Sequence, residues 1–157
     1  MNRSGPDLAL LLLAGFRAMV DEAITELAEM GHEDARPVHD FAMRAIANGA
    51  ESASELGRSL SITKQSAART ITILQERGYV TSEPDTRDAR RKRLRVTELG
   101  FEVLRKGEAV LNARRRQWAE QIGSEQLETL EDQLASLVGD QPIRFDTPGW
   151  MARDLGA

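Results

Sequence analysis

Cysteine is absent from the 157 residues, which removes disulfides, thiolate metal sites and cysteine redox sensing from consideration. Five methionines are a thin basis for peroxide-sensing chemistry. Histidine is limited to His32 and His39; carboxylates lie nearby, but no His-x-x-x-His or paired-ligand spacing joins them, so no metal is expected. No glycine-rich phosphate loop, nucleophile elbow or credible acid/base pair is present, so neither an enzyme nor a cofactor is expected. The apolar run over residues 8–15 is far too short to span a bilayer. It is bounded by Asp7, Arg17 and Asp21 and lacks a small-residue cleavage site. It reads as a buried helix of a cytoplasmic protein with no membrane partner.

Aromatics are also scarce, at 4%, while Ala and Leu dominate the apolar set, a mixture that favours helix. The chain is long enough for one domain with a real core, or for one small domain plus an oligomerisation element. The formal charge of −4 conceals a strong asymmetry. Residues 58–97 carry ten basic and four acidic side chains, a local +6 that leaves −10 for the remainder. A positive face on an acidic body is the footprint expected for contact with duplex DNA.

Periodicity supplies the elements. Leu8, Leu12, Phe16, Val20, Ile24 and Leu27 mark a helical stripe over residues 7–30, wide enough at its start to suggest a second chain as neighbour. Pro37 opens a helix to about residue 48, with Val38, Phe41, Ala42, Ala45 and Ile46 inward. Ser52 and Glu55 have capping-box spacing and begin a short helix through Leu60. Thr63 then caps a second short helix whose inner face is Ala67, Ile71 and Leu74. Two capped helices across a tight turn form a helix-turn-helix pattern.

After the helix stop at Gly78, residues 79–82 and 93–96 read as strands, with Leu94 and Val96 inward and Arg93 and Arg95 outward. The arginine-loaded loop over residues 85–91 joins them as a wing. Thr97 caps a long helix to about Gly123, with Leu104, Leu111, Trp118 and Ile122 in line. Ser124 opens a last helix in which Leu127, Leu130, Leu134 and Leu137 recur in a heptad-like rhythm.

The expected fold is therefore mainly α with a small β-hairpin wing. Residues 35–97 make a winged helix-turn-helix head, and residues 1–34 with 98–140 make a helical dimerisation layer drawn from both termini. Residues 141–157 have no assignable role, although Phe145 or Trp150 could anchor them.

Leu74-x-x-x-Gly78-x-Val80, the Asp88-x-Arg90 wing and Leu94-x-Val96-Thr97-x-x-Gly100 together resemble the MarR family of winged-helix regulators. Flanking helices extend the likeness to about Gly139. The resemblance implies a homodimer on a palindromic operator, autoregulation or repression of neighbouring genes, and often release of DNA by small, frequently aromatic or phenolic, ligands. Residues 48–51 depart from the family pattern: they lack β-branched side chains, so the usual first strand is expected to be minimal.

Candidate base and phosphate contacts on the second short helix are Thr63, Lys64, Gln65, Ser66 and Arg69. Their competing reading is an ordinary solvated helix face. On the wing the candidates are Arg87, Asp88, Arg90, Arg91 and Lys92. Arg90 is the tip expected in the minor groove, and Asp88 is expected to pair with an arginine and fix the loop. The competing reading there is a flexible charged loop. Phe16, His39, Met43 and Trp118 are candidates for an effector pocket, with core packing the simpler fate of Phe16, Met43 and Trp118. Arg114, Arg115 and Arg116 read as a solvated face or as intersubunit ion pairs. The alternative function is a winged-helix protein–protein module that does not bind DNA, distinguishable by retention on heparin.

Overall fold

The computed structural model describes residues 3–140. The tail from residue 141, with Phe145 and Trp150, lies outside the described residues. Six helices and one hairpin follow in order: α1 (Gly5–Glu29), α2 (Pro37–Ala47), α3 (Ala53–Leu60), α4 (Lys64–Glu76), β1 (Val80–Pro84), β2 (Lys92–Val96), α5 (Glu98–Ile122) and α6 (Ser124–Val138). Among the described residues no helix is long and apolar enough to cross a membrane. Residues 1–35 with 106–137 form one compact unit, and residues 36–105 belong to the other. The first two turns of α5 thus cluster with the head.

In the head, α2 contributes Val38, Ala42, Met43 and Ile46 to the core, α3 contributes Leu56 and Leu60, and α4 contributes Ala67, Ile71 and Leu74. Tyr79, Val80, Leu94, Val103 and Leu104 close it. Ser52 caps α3 as expected, accepting from Glu55 N–H. The reciprocal half of the capping box is displaced by one residue: Glu55 Oε2 accepts from the N–H of Glu51 at 2.6 Å, not from Ser52. The helix-turn-helix corner passes through Ser61 with φ of 53°. Thr63 then caps α4 by accepting from Ser66 N–H at 3.0 Å.

β1 and β2 pair antiparallel with Val80 opposite Val96 and Pro84 opposite Lys92. Leu94 is buried, but Arg93 does not simply face outward: its side chain is only 25% exposed. The expected minimal first strand is reduced to a single bond, from Leu94 N–H to the carbonyl of Glu51 at 3.0 Å.

One cluster ties α4, the wing and α5 together. The Thr97 hydroxyl donates to Gly78 O at 2.6 Å and accepts from Gly100 N–H at 3.1 Å. Its own N–H donates to Tyr79 O at 2.9 Å. Gly78 itself has φ of 76°, the left-handed conformation that stops α4 cheaply only when no β-carbon is present. Gly100 is required for a different reason: a β-carbon there would overlap the carbonyl oxygen of Tyr79 and press on Val96. The Thr97-x-x-Gly100 spacing is thus the sequence trace of a close helix–strand approach.

In the other unit, Ser4 and Asp7 form a reciprocal capping box that starts α1. The Ser4 hydroxyl and N–H hold the Asp7 carboxyl below the usual carboxylate range. The apolar stripe of α1 is buried within the chain only at Ala23 and Leu27, whereas Leu8, Leu10, Leu11 and Leu12 are exposed. On α6 Leu127 is buried, while Leu130 and Leu137 are exposed. The expected line along α5 also fails at its end, since Ile122 is exposed. Gly107 of α5 lies beside Leu27 of α1, whose Cδ1 would be at ordinary contact distance, 3.7 Å, from a β-carbon at that position.

Two members of the arginine triplet form ion pairs inside this unit. Arg114 Nη1 lies 3.0 Å from Glu22, and Arg115 makes two 2.6 Å bonds to Glu131, linking α5 to α6. That fork, and the proximity of the opposite charges, lowers the Glu131 pKa and raises that of Arg115. Arg116 is exposed.

Gly100→Ala is expected to destabilise the protein by about 1–3 kcal/mol, because α5 must shift off Tyr79 to admit the methyl. Thermal denaturation of the variant against wild type checks this, and an unchanged midpoint would contradict it.

Candidate nucleic-acid interface

Helix α4 is amphipathic in a simple way. Ala67, Thr70, Ile71 and Leu74 turn inward; on the opposite side Gln65, Arg69, Thr72 and Glu76 are exposed, and Ile73 is half-buried. At 100° per residue the centre of the outward face is Gln65, Arg69 and Thr72, with Lys64 and Ser66 on its flanks. Among the described residues no carboxylate pairs with Lys64 or Arg69. Both are free cations near the positive end of the helix dipole.

Thr63 and Ser66 are partly committed. Ser66 N–H donates to Thr63 Oγ1, and the Thr63 hydroxyl is 3.0 Å from Ser66 Oγ as its donor. With its one proton engaged there, Thr63 serves as a cap, and the Ser66 hydroxyl retains a proton for an outside acceptor. Thr72 carries a signal that composition alone did not reveal. Its hydroxyl donates to Ala68 O at 3.0 Å, which leaves its methyl as the free group on the outward face. Gln75 was also missed; its Nε2 donates to Ser82 Oγ of β1 at 3.0 Å and so fixes the wing to α4.

The wing loop is held by its own carboxylates. Asp85 accepts from Arg87 N–H at 2.8 Å, and its N–H donates to Arg91 O at 2.8 Å, closing the loop base. Asp88 accepts from Arg90 N–H at 3.0 Å, and its carbonyl accepts from Arg91 N–H. Asp88 therefore fixes the loop through backbone N–H groups rather than through the expected arginine side-chain pair. Arg90, Arg91 and Lys92 are exposed, and among the described residues none of them has an ion-pair partner. Arg87 differs, lying 3.6 Å from Asp85 and 3.8 Å from Glu51. Arg95 pairs with Glu83 at 3.2 Å. The ten basic residues of this region thus divide into cations paired on the hairpin, Arg77 beside His39 on α2, and cations left over. The leftover set includes Arg58, exposed on α3 and absent from the initial candidates.

The four effector-pocket candidates are split between the units. His39 and Met43 are buried in the head, where His39 Nδ1 lies 3.3 Å from Arg77. Phe16 and Trp118 are half-buried in the other unit. An open groove of about 410 Å³ in the head is lined by Ala45, Asn48, Gly49, Ala50, Glu55, Arg58 and Ser59, none of them a pocket candidate.

Residues 42–91, from mid-α2 to the wing loop, match the family model described as MarR family. Over those residues the head is similar to the MarR family. Solved structures of similar fold extend the likeness along the chain. YusO from Bacillus subtilis aligns with a TM-score of 0.64 at 17% identity, over 88% of this chain and 100% of that one. CouR from Rhodococcus jostii RHA1, bound to p-coumaroyl-CoA, gives 0.62 at 20% identity over 86% and 94%. A point mutant of S. aureus MepR bound to an oligodeoxyribonucleotide gives 0.57 at 13% identity over 83% and 95%. The fold shared with these structures includes the hairpin, the capped helix pair and the long helix α5. MarR proteins are transcription regulators, and the chain has their fold.

The wing of the head carries its own pH signature. The Arg87 N–H bond is the main cause that holds Asp85 below the usual carboxylate range, with the Arg87 charge adding to it. A carboxylate with a depressed folded pKa stabilises the loop above its unfolded value of about 3.9 and loses that contribution as pH falls through the lower folded value. The Arg87 amide resonance should therefore hold constant from neutrality to about pH 4 and move only below it. A midpoint at or above the ordinary aspartate value would contradict the bond.

Proposed function

We propose that this chain is a sequence-specific regulator of transcription that binds double-stranded DNA as a homodimer on a palindromic operator and acts as a repressor. The observation that carries the reading is the set of exposed cations with no ion-pair partner among the described residues at two neighbouring places, the N-terminal half of α4 (Lys64, Arg69) and the wing (Arg90, Arg91, Lys92). A helix with that outward face fits a major groove, and a basic finger beside it suits phosphates or the adjacent minor groove. The MepR structure with an oligodeoxyribonucleotide supports the same use of the fold.

Within this reading the outward centre of α4 reads bases. Gln65 suits adenine, Arg69 suits guanine O6/N7, and the Thr72 methyl suits the thymine methyl. Ser66 and Lys64 on the flanks suit phosphate, and Arg90 enters the minor groove. Exposed leucines support self-association through the chain ends, with Leu10 60% and Leu137 83% exposed in a single chain. Release by a small aromatic ligand is part of the proposal, supported by CouR with p-coumaroyl-CoA and MepR with ethidium bromide. Residues 1–34 with 98–140 are assigned to dimerisation and residues 35–97 to DNA binding.

Arg69→Ala should relax sequence preference, losing about 1–3 kcal/mol of discrimination at one base pair. Arg90→Ala should weaken all duplexes more evenly and flatten the salt dependence by about one unit of slope. Gel-shift titrations with both variants equal to wild type would remove the assignment. Substituting uracil for thymine in a selected duplex should weaken the wild type, and Thr72→Ser should be indifferent to that change. Equal uracil sensitivity in both proteins would take Thr72 out of the base-reading face.

A further inference from the structure

We propose that Glu51 is a positioning residue that pins the wing to the helix-turn-helix and withholds Arg87 from nonspecific phosphate. The inference rests on the DNA-binding reading above. Glu51 lies in the short link before α3. Its N–H donates to Glu55 Oε2 at 2.6 Å and its carbonyl accepts from Leu94 N–H at 3.0 Å, so its backbone joins α3 to β2. The carboxylate then divides between two arginines of the hairpin, with Oε2 3.8 Å from Arg87 Nη2 and Oε1 3.9 Å from Arg93 Nη1.

The two arginines stand differently toward that carboxylate. Arg93 is 25% exposed, and its Nε is buried without a hydrogen-bond partner. A guanidinium so placed needs a nearby counter-charge, and Glu51 supplies it. Arg87 is 78% exposed and sits between Asp85 and Glu51 at 3.6 and 3.8 Å. Both distances exceed the roughly 2.7–2.9 Å of a tight charged hydrogen bond. Such exposed pairs are weak and exchangeable. A DNA phosphate can take Arg87 from Glu51, but it must displace that carboxylate to do so.

Two consequences follow from one side chain. Neutral Glu51 would release Arg87 to any phosphate and would remove a like charge from the DNA side, raising affinity for unrelated sequence. It would also loosen the loop base, which matters only to a complex that requires the wing in register. Glu51 therefore raises the ratio of specific to nonspecific binding, and Glu51→Gln should lower that ratio about three- to tenfold. Its random-duplex affinity should fall more steeply with salt, by about one unit of slope.

The test uses the full chain with two probes, a mixed-sequence duplex and a duplex selected from a random pool, and follows tryptic nicking of the wing without DNA. Glu51→Gln should bind the mixed duplex more tightly, lose selectivity and be nicked faster. Glu51→Asp, which keeps the charge, should restore all three toward wild type. In an Arg87→Gln background the mixed-duplex gain should vanish. A gain that persists there is a general charge effect and overturns the role of Arg87; unchanged nicking and selectivity overturn the positioning role. Should Glu51→Gln not fold, Arg87→Gln alone decides: it should cost less mixed-duplex affinity than Arg90→Gln, and an equal cost overturns the proposal. A wild type that ignores every duplex sinks the DNA reading itself, whereas selective wild-type binding with an inert Glu51→Gln sinks only this inference.

Discussion

The Thr97 hydroxyl is the constraint on which the head depends. It donates to the last carbonyl of the α4 stop, accepts from the first turn of α5, and stands beside the N–H that bonds Tyr79. Three elements meet at one buried-edge polar cluster, and Gly100 lets them meet without a β-carbon between them. An isolated two-stranded hairpin is marginal in water. Here it is anchored at its open end by Thr97 and along the free edge of β2 by the bond from Leu94 to the Glu51 carbonyl. The Gln75–Ser82 bond adds a third tie, from the outward face of α4 to β1. The wing is thereby given a direction relative to the helix it accompanies, which a groove reader needs and a flexible charged loop lacks.

Charge is arranged around that frame by subtraction. Arg93 and Arg95 are drawn into pairs with Glu51 and Glu83, and Arg114 and Arg115 with Glu22 and Glu131. Among the described residues of the helix-turn-helix and wing, the cations without a carboxylate partner are Lys64 and Arg69 on α4, Arg58 on α3, and Arg90, Arg91 and Lys92 on the wing. A mildly acidic chain can thus present a positive surface where two faces adjoin, with the acidic excess held elsewhere. The same subtraction explains why a charged loop can be ordered: Asp85 and Asp88 spend their oxygens on backbone N–H groups and leave the arginine heads outside.

Much of the head was legible in the residues because its boundaries are made by local chemistry. Ser52, Thr63 and Thr97 are caps, Gly78 is a stop, and the apolar spacing of α4 marks its inner face. Those signals act within one helical turn, so reading along the chain finds them. Interactions between elements were not legible. Nothing in the spacing tells that Glu55 reaches back to Glu51 instead of Ser52, that Gln75 meets Ser82, or that Arg93 turns toward a carboxylate forty-two positions earlier. The leucine rhythm of α1 and α6 was read correctly as apolar, yet periodicity could not separate what the chain buries from what it leaves exposed. Arg114 shows the same limit: the sequence marks a cation, and only the packing of α1 against α5 supplies Glu22 as its partner.

The central claim is that two copies of this head read a duplex together. Selection of bound sequences from a random duplex pool tests it most directly. The account predicts enrichment of an inverted repeat whose half-sites are about one helical turn apart, roughly 10 base pairs from centre to centre. A pool that enriches no sequence, or that yields a single unpaired half-site, would contradict it.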